Sequence, residues 1–129
     1  MAFWADHRDA VLADYETARQ DTERDMAARG MFSSGAHYAA FRNNAINYTQ
    51  AWTNGARQIV LDMEEHGTTD RVFLSDLAED YRTDFLNYML ASYDSFHARA
   101  GAGSNVYTQV KDEIVAGIHA AFDELQAAI

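Results

Sequence analysis

The chain contains no proline in 129 residues, and this absence constrains its fold more than any other feature of the sequence. Average usage of roughly 5% would give about six prolines in a chain of this length. Proline is poorly tolerated inside α-helices, because it lacks an amide hydrogen and its ring clashes with the preceding turn. A chain that avoids it throughout is typical of long helices, and no stretch alternates as strands do. The sequence therefore predicts an all-α fold.

Glycines mark the predicted helix ends. Gly30, Gly67 and Gly101 each follow a helical run, at the position where a left-handed C-terminal cap favours glycine. They divide the chain, one helical domain over residues 1–129, into four predicted helices at about 6–29, 36–66, 70–99 and 105–128.

Short polar residues supply the candidate N-caps. The candidates for the second and fourth helices are Ser33 or Ser34 and Ser104 or Asn105. The third helix has two possible starts, one near Asp70 after a Thr69 cap and one at Ser75, and the sequence leaves the choice open.

Apolar residues recur every three or four positions within the predicted helices, as on a face that packs against neighbouring helices. On the third helix the predicted core stripe is Phe73, Leu77, Tyr81, Phe85, Tyr88, Met89 and Phe96. On the fourth helix it is Val110, Ile114, Ile118, Ala121, Phe122 and Leu125.

The predicted helix lengths indicate an elongated molecule. A helix over 36–66 is roughly 46 Å long at 1.5 Å per residue, whereas a compact domain of this size has a radius of gyration of only about 14 Å. We therefore expect an elongated bundle of four helices, the second and third long. An elongated domain buries less of its own surface, so we also expect leftover apolar area that meets a partner.

Charge and composition exclude several functional classes. The formal net charge is −10, from 20 carboxylates and 10 basic residues, and this argues against direct nucleic-acid binding, which needs clustered Lys and Arg. The absence of cysteine excludes disulfides, thiolate zinc sites and a cysteine nucleophile. The longest apolar run, Met1 to Ala5, is too short for a membrane span or a signal peptide. We expect a protein of the producing cell's cytoplasm with no membrane partner.

Metal and catalytic motifs are incomplete. A di-iron bundle needs paired Glu-x-x-His motifs, and the chain offers only Asp94 with His97 and Asp62 with His66. We therefore expect no metal and no cofactor.

Two serine-containing segments lack the features of a catalytic or phosphate-binding site. Ser33 and Ser34 lie near His37 but at a predicted helix start, where capping explains them. The segment 101–104 lacks the length and the lysine of a phosphate-binding loop. We expect no catalytic residues and no enzymatic activity.

Two sets of residues are candidate contacts. Phe3 and Trp4 precede the first predicted helix at a free chain end, where a large apolar pair can anchor a neighbouring subunit. Asp76, Asp80 and Asp84 form a column at four-residue spacing on the third helix. A solvated helix face explains this column simply, and a contact with a basic partner is the functional alternative.

The segment from Ala27 to Gly35, with the sequence AARGMFSSG, joins two long predicted helices. Its apolar pair, Met31 and Phe32, would fill the corner between a glycine cap and a serine cap. Over these nine residues it resembles the Arg-Gly, apolar pair, Ser-Ser turns in bacteriophage virion proteins of the tail, neck and ejection apparatus. The resemblance implies a small structural subunit that acts by oligomerisation and has no active site.

We therefore predict a structural or adaptor subunit of a larger assembly, such as a virus-like particle. Its expected partners are further copies of itself and other assembly proteins. We expect it in the cytoplasm of the producing cell and, after assembly, in the particle. Two alternatives remain: a small acidic inhibitor that mimics nucleic acid against a basic partner, and a helical-bundle metalloprotein.

Overall fold

The computed structural model describes residues 2–67 and 70–129, and within these ranges it contains helices and no β-strand. The four helices are α1 (Ala2–Ala28), α2 (Gly35–Glu65), α3 (Arg71–Ala100) and α4 (Ser104–Ala128). The all-α prediction is confirmed, as are the long second and third helices, which have 31 and 30 residues.

The caps of α2 and α3 resolve the open choices of the sequence. Ser34 caps α2, and its side chain accepts a hydrogen bond from the His37 amide. Asp70 caps α3 and accepts from the Phe73 amide, so the third helix starts at Arg71 and not at Ser75. The alternative cap Thr69 lies outside the described residues.

The cap prediction for α4 is wrong. Gly103 is its N-cap and makes no side-chain hydrogen bond, so Ser104 and Asn105 lie inside the helix. The predicted left-handed glycines at the helix ends agree with the structure, because Gly30, Gly67 and Gly101 all have positive φ angles near 70°.

The predicted start of the first helix near Asp6 is also wrong. α1 begins at Ala2, and Trp4 in its first turn is fully buried. The Trp4 ring packs edge-on against Trp52 and Tyr81, with centroid separations of 5.5 and 5.8 Å. This burial extends the helix by a full turn.

Pairs of side chains give the directions of the helices. Arg8 and Glu23 of α1 meet Asp84 and Arg99 of α3, so these helices run parallel. Equivalent pairs make α2 parallel to α4 and each of them antiparallel to α1 and α3. Around the bundle the order is α1, α2, α4, α3.

The helices are unevenly spaced. α2 and α4 approach most closely at Gly117, where an added Cβ atom would lie 2.6 Å from the Ile46 side chain. Among the described residues, no Cα atom of α1 lies within 8 Å of a Cα atom of α3 or α4. α1 is therefore a flanking helix that packs its backbone against α2 alone.

The predicted core stripes have different outcomes. All six predicted residues of α4 are buried. On α3 the prediction fails for Phe73, which is 51% exposed, because the neighbouring Leu74 is buried instead. Elsewhere on α3 the core includes the predicted Tyr81 and Phe85.

The close approach at Gly117 gives a first prediction. Gly117→Val should lower the free energy of unfolding by about 1–3 kcal/mol, because the new side chain overpacks the α2–α4 contact. Combining it with Ile46→Ala should cost less than the sum of the two single changes. Urea denaturation of the four proteins in this cycle measures the coupling, and strict additivity would contradict the contact.

Candidate functional site

Exposed apolar side chains concentrate at one end of the bundle. The large exposed ones in the described part of the chain are Phe3, Leu61, Val72, Phe73 and Val106. The first four lie where α1 and α3 begin and α2 ends, and Val106 lies at the opposite end. Such clusters on a soluble protein mark interaction sites more often than scattered exposed residues do.

The face of α2 that contacts α1 continues beyond the start of α1. The His7 ring lies 3.3 Å from the Ala51 carbonyl oxygen, so Ala51 is on the α1 side of α2. Asp62, three turns later, is on the same side. A groove of about 350 Å³ opens there. We call it the terminal groove, and it is lined by Phe3, Ile59, Asp62, Met63 and His66.

The face of α3 that contacts α1 also continues past the start of α1. Arg8 of α1 lies 3.5 Å from Asp84, and Phe73 is eleven residues, or about three turns, before Asp84 on the same side of α3. Both α2 and α3 therefore extend past Ala2, the first described residue of α1. Of the predicted pair at the chain start, only Phe3, 69% exposed, is accessible to a partner; Trp4 belongs to the core.

Met31 and Phe32 lie at the other end of the bundle, in the corner between α1 and α2. Both are half-buried, and the Phe32 ring packs against His37 and Phe96 at centroid distances of 5.0 and 6.1 Å. Phe32 therefore fills the corner. The next residue, Ser33, has a φ angle of 72°, which is unfavourable for a residue with a side chain.

The acidic column is solvent-exposed. Asp76, Asp80 and Asp84 are all exposed, and Asp84 pairs with Arg8. Within residues 2–67 and 70–129, Asp76 and Asp80 form no hydrogen bond or ion pair. The column therefore has two carboxylates without a partner among the residues that the structure describes.

The sequence pairs considered as metal ligands are occupied by other contacts. The His97 ring lies 2.6 Å from the Tyr38 hydroxyl, and Asp94 accepts a hydrogen bond from Tyr107. The His66 ring bonds to the Asp62 carbonyl oxygen. In the described ranges no three His, Asp or Glu side chains are grouped as a metal site requires.

A polar network joins α1 to α3, and sequence reasoning did not identify it. Arg19 bridges Glu16 and Glu23, and Glu23 also receives Arg99 of α3. Tyr88 donates to Glu16. The spacing of Glu16, Arg19 and Glu23 gave a signal for the part within α1, but the contribution of α3 depends on the fold.

The same network lowers carboxylate pKa values. The hydrogen bond from Arg99 is the main cause that lowers the pKa of Glu23. Burial raises the pKa of Glu16, but the bonds from Arg19 and Tyr88 outweigh it and leave that pKa below its usual value. An open groove of about 630 Å³ runs beside these groups.

His37 is the buried ionisable group at the corner. It is 1% exposed, and its Nδ1 atom has no hydrogen-bond partner within the described residues. Burial lowers the pKa of His37; the Glu23 carboxylate raises it by a smaller amount, and the Arg99 guanidinium lowers it slightly further. The group is therefore most stable as a neutral imidazole.

None of the four helices in the described ranges combines the length and apolarity that crossing a membrane requires. No protein-family model matches the chain, and neither a curated protein nor a solved structure shows significant similarity to it. The resemblance of residues 27–35 to phage virion turns therefore stays a prediction.

The buried imidazole predicts how stability depends on pH. As the pH falls through about 6.5, the unfolded chain takes up a proton that folded His37 resists, so the free energy of unfolding should decline. His37→Phe should remove this decline between pH 7 and pH 5. Urea denaturation at several pH values measures it.

His66→Gln, which changes an exposed histidine, is the matched control and should keep the wild-type decline. If His37→Phe also kept it, the assignment to His37 would be wrong.

Proposed function

We propose that the protein is a structural subunit that assembles with further copies of itself through the terminal groove and the apolar residues around it. The observation that carries the proposal is the terminal groove, which the exposed Phe3 lines, with Phe73 exposed at the same end of the bundle.

The apolar area is suited to a reversible contact. At about 200 Å² for a complete aromatic side chain, the exposed parts of Phe3 and Phe73 present roughly 240 Å² per copy. Burying this area on both copies would stabilise the pair by about 12 kcal/mol, at about 25 cal/mol per Å². If association costs about 4 kcal/mol, the lower end of the usual range, about 8 kcal/mol remains, which corresponds to a micromolar dissociation constant.

A second copy is the occupant that fits the shape of this end. Each copy has both the terminal groove and two helix ends that extend past Ala2. In a two-fold pair, the helix ends of one copy would pack against the terminal groove of the other, which gives a closed, isologous contact. The net charge of −10 opposes pairing, so added salt should strengthen it.

The resemblance of the corner segment supports the finer assignment to a virus-like particle. On this proposal the protein has no catalytic role, and other assembly proteins join its own copies as partners. It would be made in the cytoplasm and incorporated into the particle.

The test is a double variant at the terminal groove. Phe3→Ser with Phe73→Ser should convert a concentration-dependent multimer into a monomer, because both side chains are exposed and their loss removes the contact without opening the core. Gel filtration with light scattering, at roughly 1–100 μM to span the micromolar range expected from the affinity arithmetic, gives the mass.

Val106→Ser is the matched control, since Val106 is an exposed apolar residue at the opposite end. It should leave the mass unchanged. A wild-type protein that stays monomeric over this range would contradict the proposal, as would a double variant that associates as strongly as the wild type.

A second candidate function has one observation in its favour. Asp76 and Asp80 have no partner among the described residues and lie on the same exposed face as Asp84, as expected of an inhibitor that replaces phosphates in a basic groove. Changing all three to Asn should abolish salt-sensitive binding to a basic nucleic-acid enzyme. Unchanged binding by that variant, or no binding by the wild type, would eliminate this candidate.

A further inference from the structure

The burial of α1 is thin and uneven. Only Trp4, Val11 and Tyr15 of its 27 residues are buried, compared with nine of 31 on α2. No side chain from Glu16 to Ala28 is buried. The half of α1 next to the corner is therefore the least supported helical segment among the described residues, and segments with few buried contacts open first.

Side chains alone connect α1 to α3. The contacts are the ion pairs and hydrogen bonds of the polar network, the hydrogen bond between the Tyr15 hydroxyl and Ser92 Oγ at 2.9 Å, and ring contacts such as that of Trp4 with Tyr81. Two open grooves, of about 630 and 500 Å³, run along this seam. Because the contacts are between side chains on one face of each helix, an identical helix from another copy can make all of them.

The corner stores strain that opening would release. Ser33 has a left-handed φ of 72° without being glycine, which is unfavourable for an L-residue. Gly30, also left-handed, gives the backbone freedom to adopt other conformations. A corner that extends lets Ser33 return to an ordinary conformation, whereas Phe32 packing against His37 and Phe96 keeps the corner closed in a single copy.

We propose that α1 is an exchangeable helix, which leaves its own α2 and α3 and packs in the same register on those of a second copy of this chain. The exchanged dimer keeps every contact of α1 and loses the strain at Ser33, so its main cost is the entropy of association. Exchange of an identical element is a low-cost route to dimers. It uses the corner end of the bundle and is independent of the terminal groove.

The test uses the absence of native cysteine. Thr22 of α1 and Asn44 of α2 are bonded side chain to side chain at 3.0 Å. Two single variants, Thr22→Cys and Asn44→Cys, are mixed at high concentration, incubated and treated with a short bis-maleimide. In closed copies the two cysteines belong to different molecules and do not meet, whereas exchange places α1 of one copy on α2 of the other. Covalent heterodimers are then measured on a denaturing gel.

The matched control replaces Asn44→Cys with Asn54→Cys, which is exposed and lies ten residues, or about 15 Å, further along α2, so that it reports random collisions. Exchange predicts several-fold more product for the pair 22 and 44 than for the pair 22 and 54. Ser33→Gly should reduce that product about fivefold or more, because it removes the strain of the closed corner.

Equal products for the two pairs would overturn the exchange proposal. Contact through the terminal groove would be unaffected, because copies held there are separated by the denaturing gel and keep Thr22 next to their own Asn44. Retention of the 22–44 product in the Phe3 and Phe73 double variant would support exchange independently of the terminal groove.

Discussion

Trp52 is the contact on which the arrangement of the four helices depends. Its ring packs against Trp4 of α1, Tyr81 of α3 and Phe122 of α4, and its Nε1–H donates to the Trp4 carbonyl oxygen. A single fully buried side chain thus connects α2 to each of the other helices. These pairs fix how the helices are shifted along one another. The shift lets α2 and α3 extend past the first turn of α1, and the terminal groove forms because of it.

The sequence predicts what depends on local pattern. The six residues of the α4 stripe follow one clear period, and all are buried. A start of α3 near Asp70 was one of two predictions, because Thr69 was a candidate cap; in the structure Asp70 itself is the cap. The apolar spacing predicted that Phe73 lies in the core. In the structure, Leu74 is the residue of the first α3 turn that faces inward. A shift of one residue rotates a helix by about 100°, and periodicity alone does not determine it at a helix end.

The candidate site could not be predicted from local pattern, because it depends on contacts between residues that are far apart in the sequence. Trp4 looked like an anchor because it lies near a chain end, and only its packing with Trp52 shows that it is a core residue. Phe3, its neighbour, points outward and is exposed. The terminal groove combines Phe3 with Ile59 and Asp62, residues more than fifty positions away. No motif reports such a relation, since it results from the relative shift of the helices.

Elongation and incomplete burial give this molecule two ends with different properties. At one end, apolar side chains lie exposed around the terminal groove. At the other end, the strained corner at Ser33 follows the weakly buried half of α1. The sides of the bundle between the two ends are polar and contain ion pairs such as Arg19 with Glu23. The proposed function assigns association to the two ends and leaves the charged sides to face water.

Small-angle X-ray scattering over a concentration series tests the central claim most directly, because it reports both mass and length. The bundle is roughly 46 Å long, from the 31 residues of α2 at 1.5 Å each. Pairing through the terminal groove predicts that, as concentration rises, the mass doubles from 14.5 kDa while the maximum dimension increases to roughly 80–90 Å, about two helix lengths. A constant mass of 14.5 kDa, or a doubled mass without lengthening, would contradict association through this end.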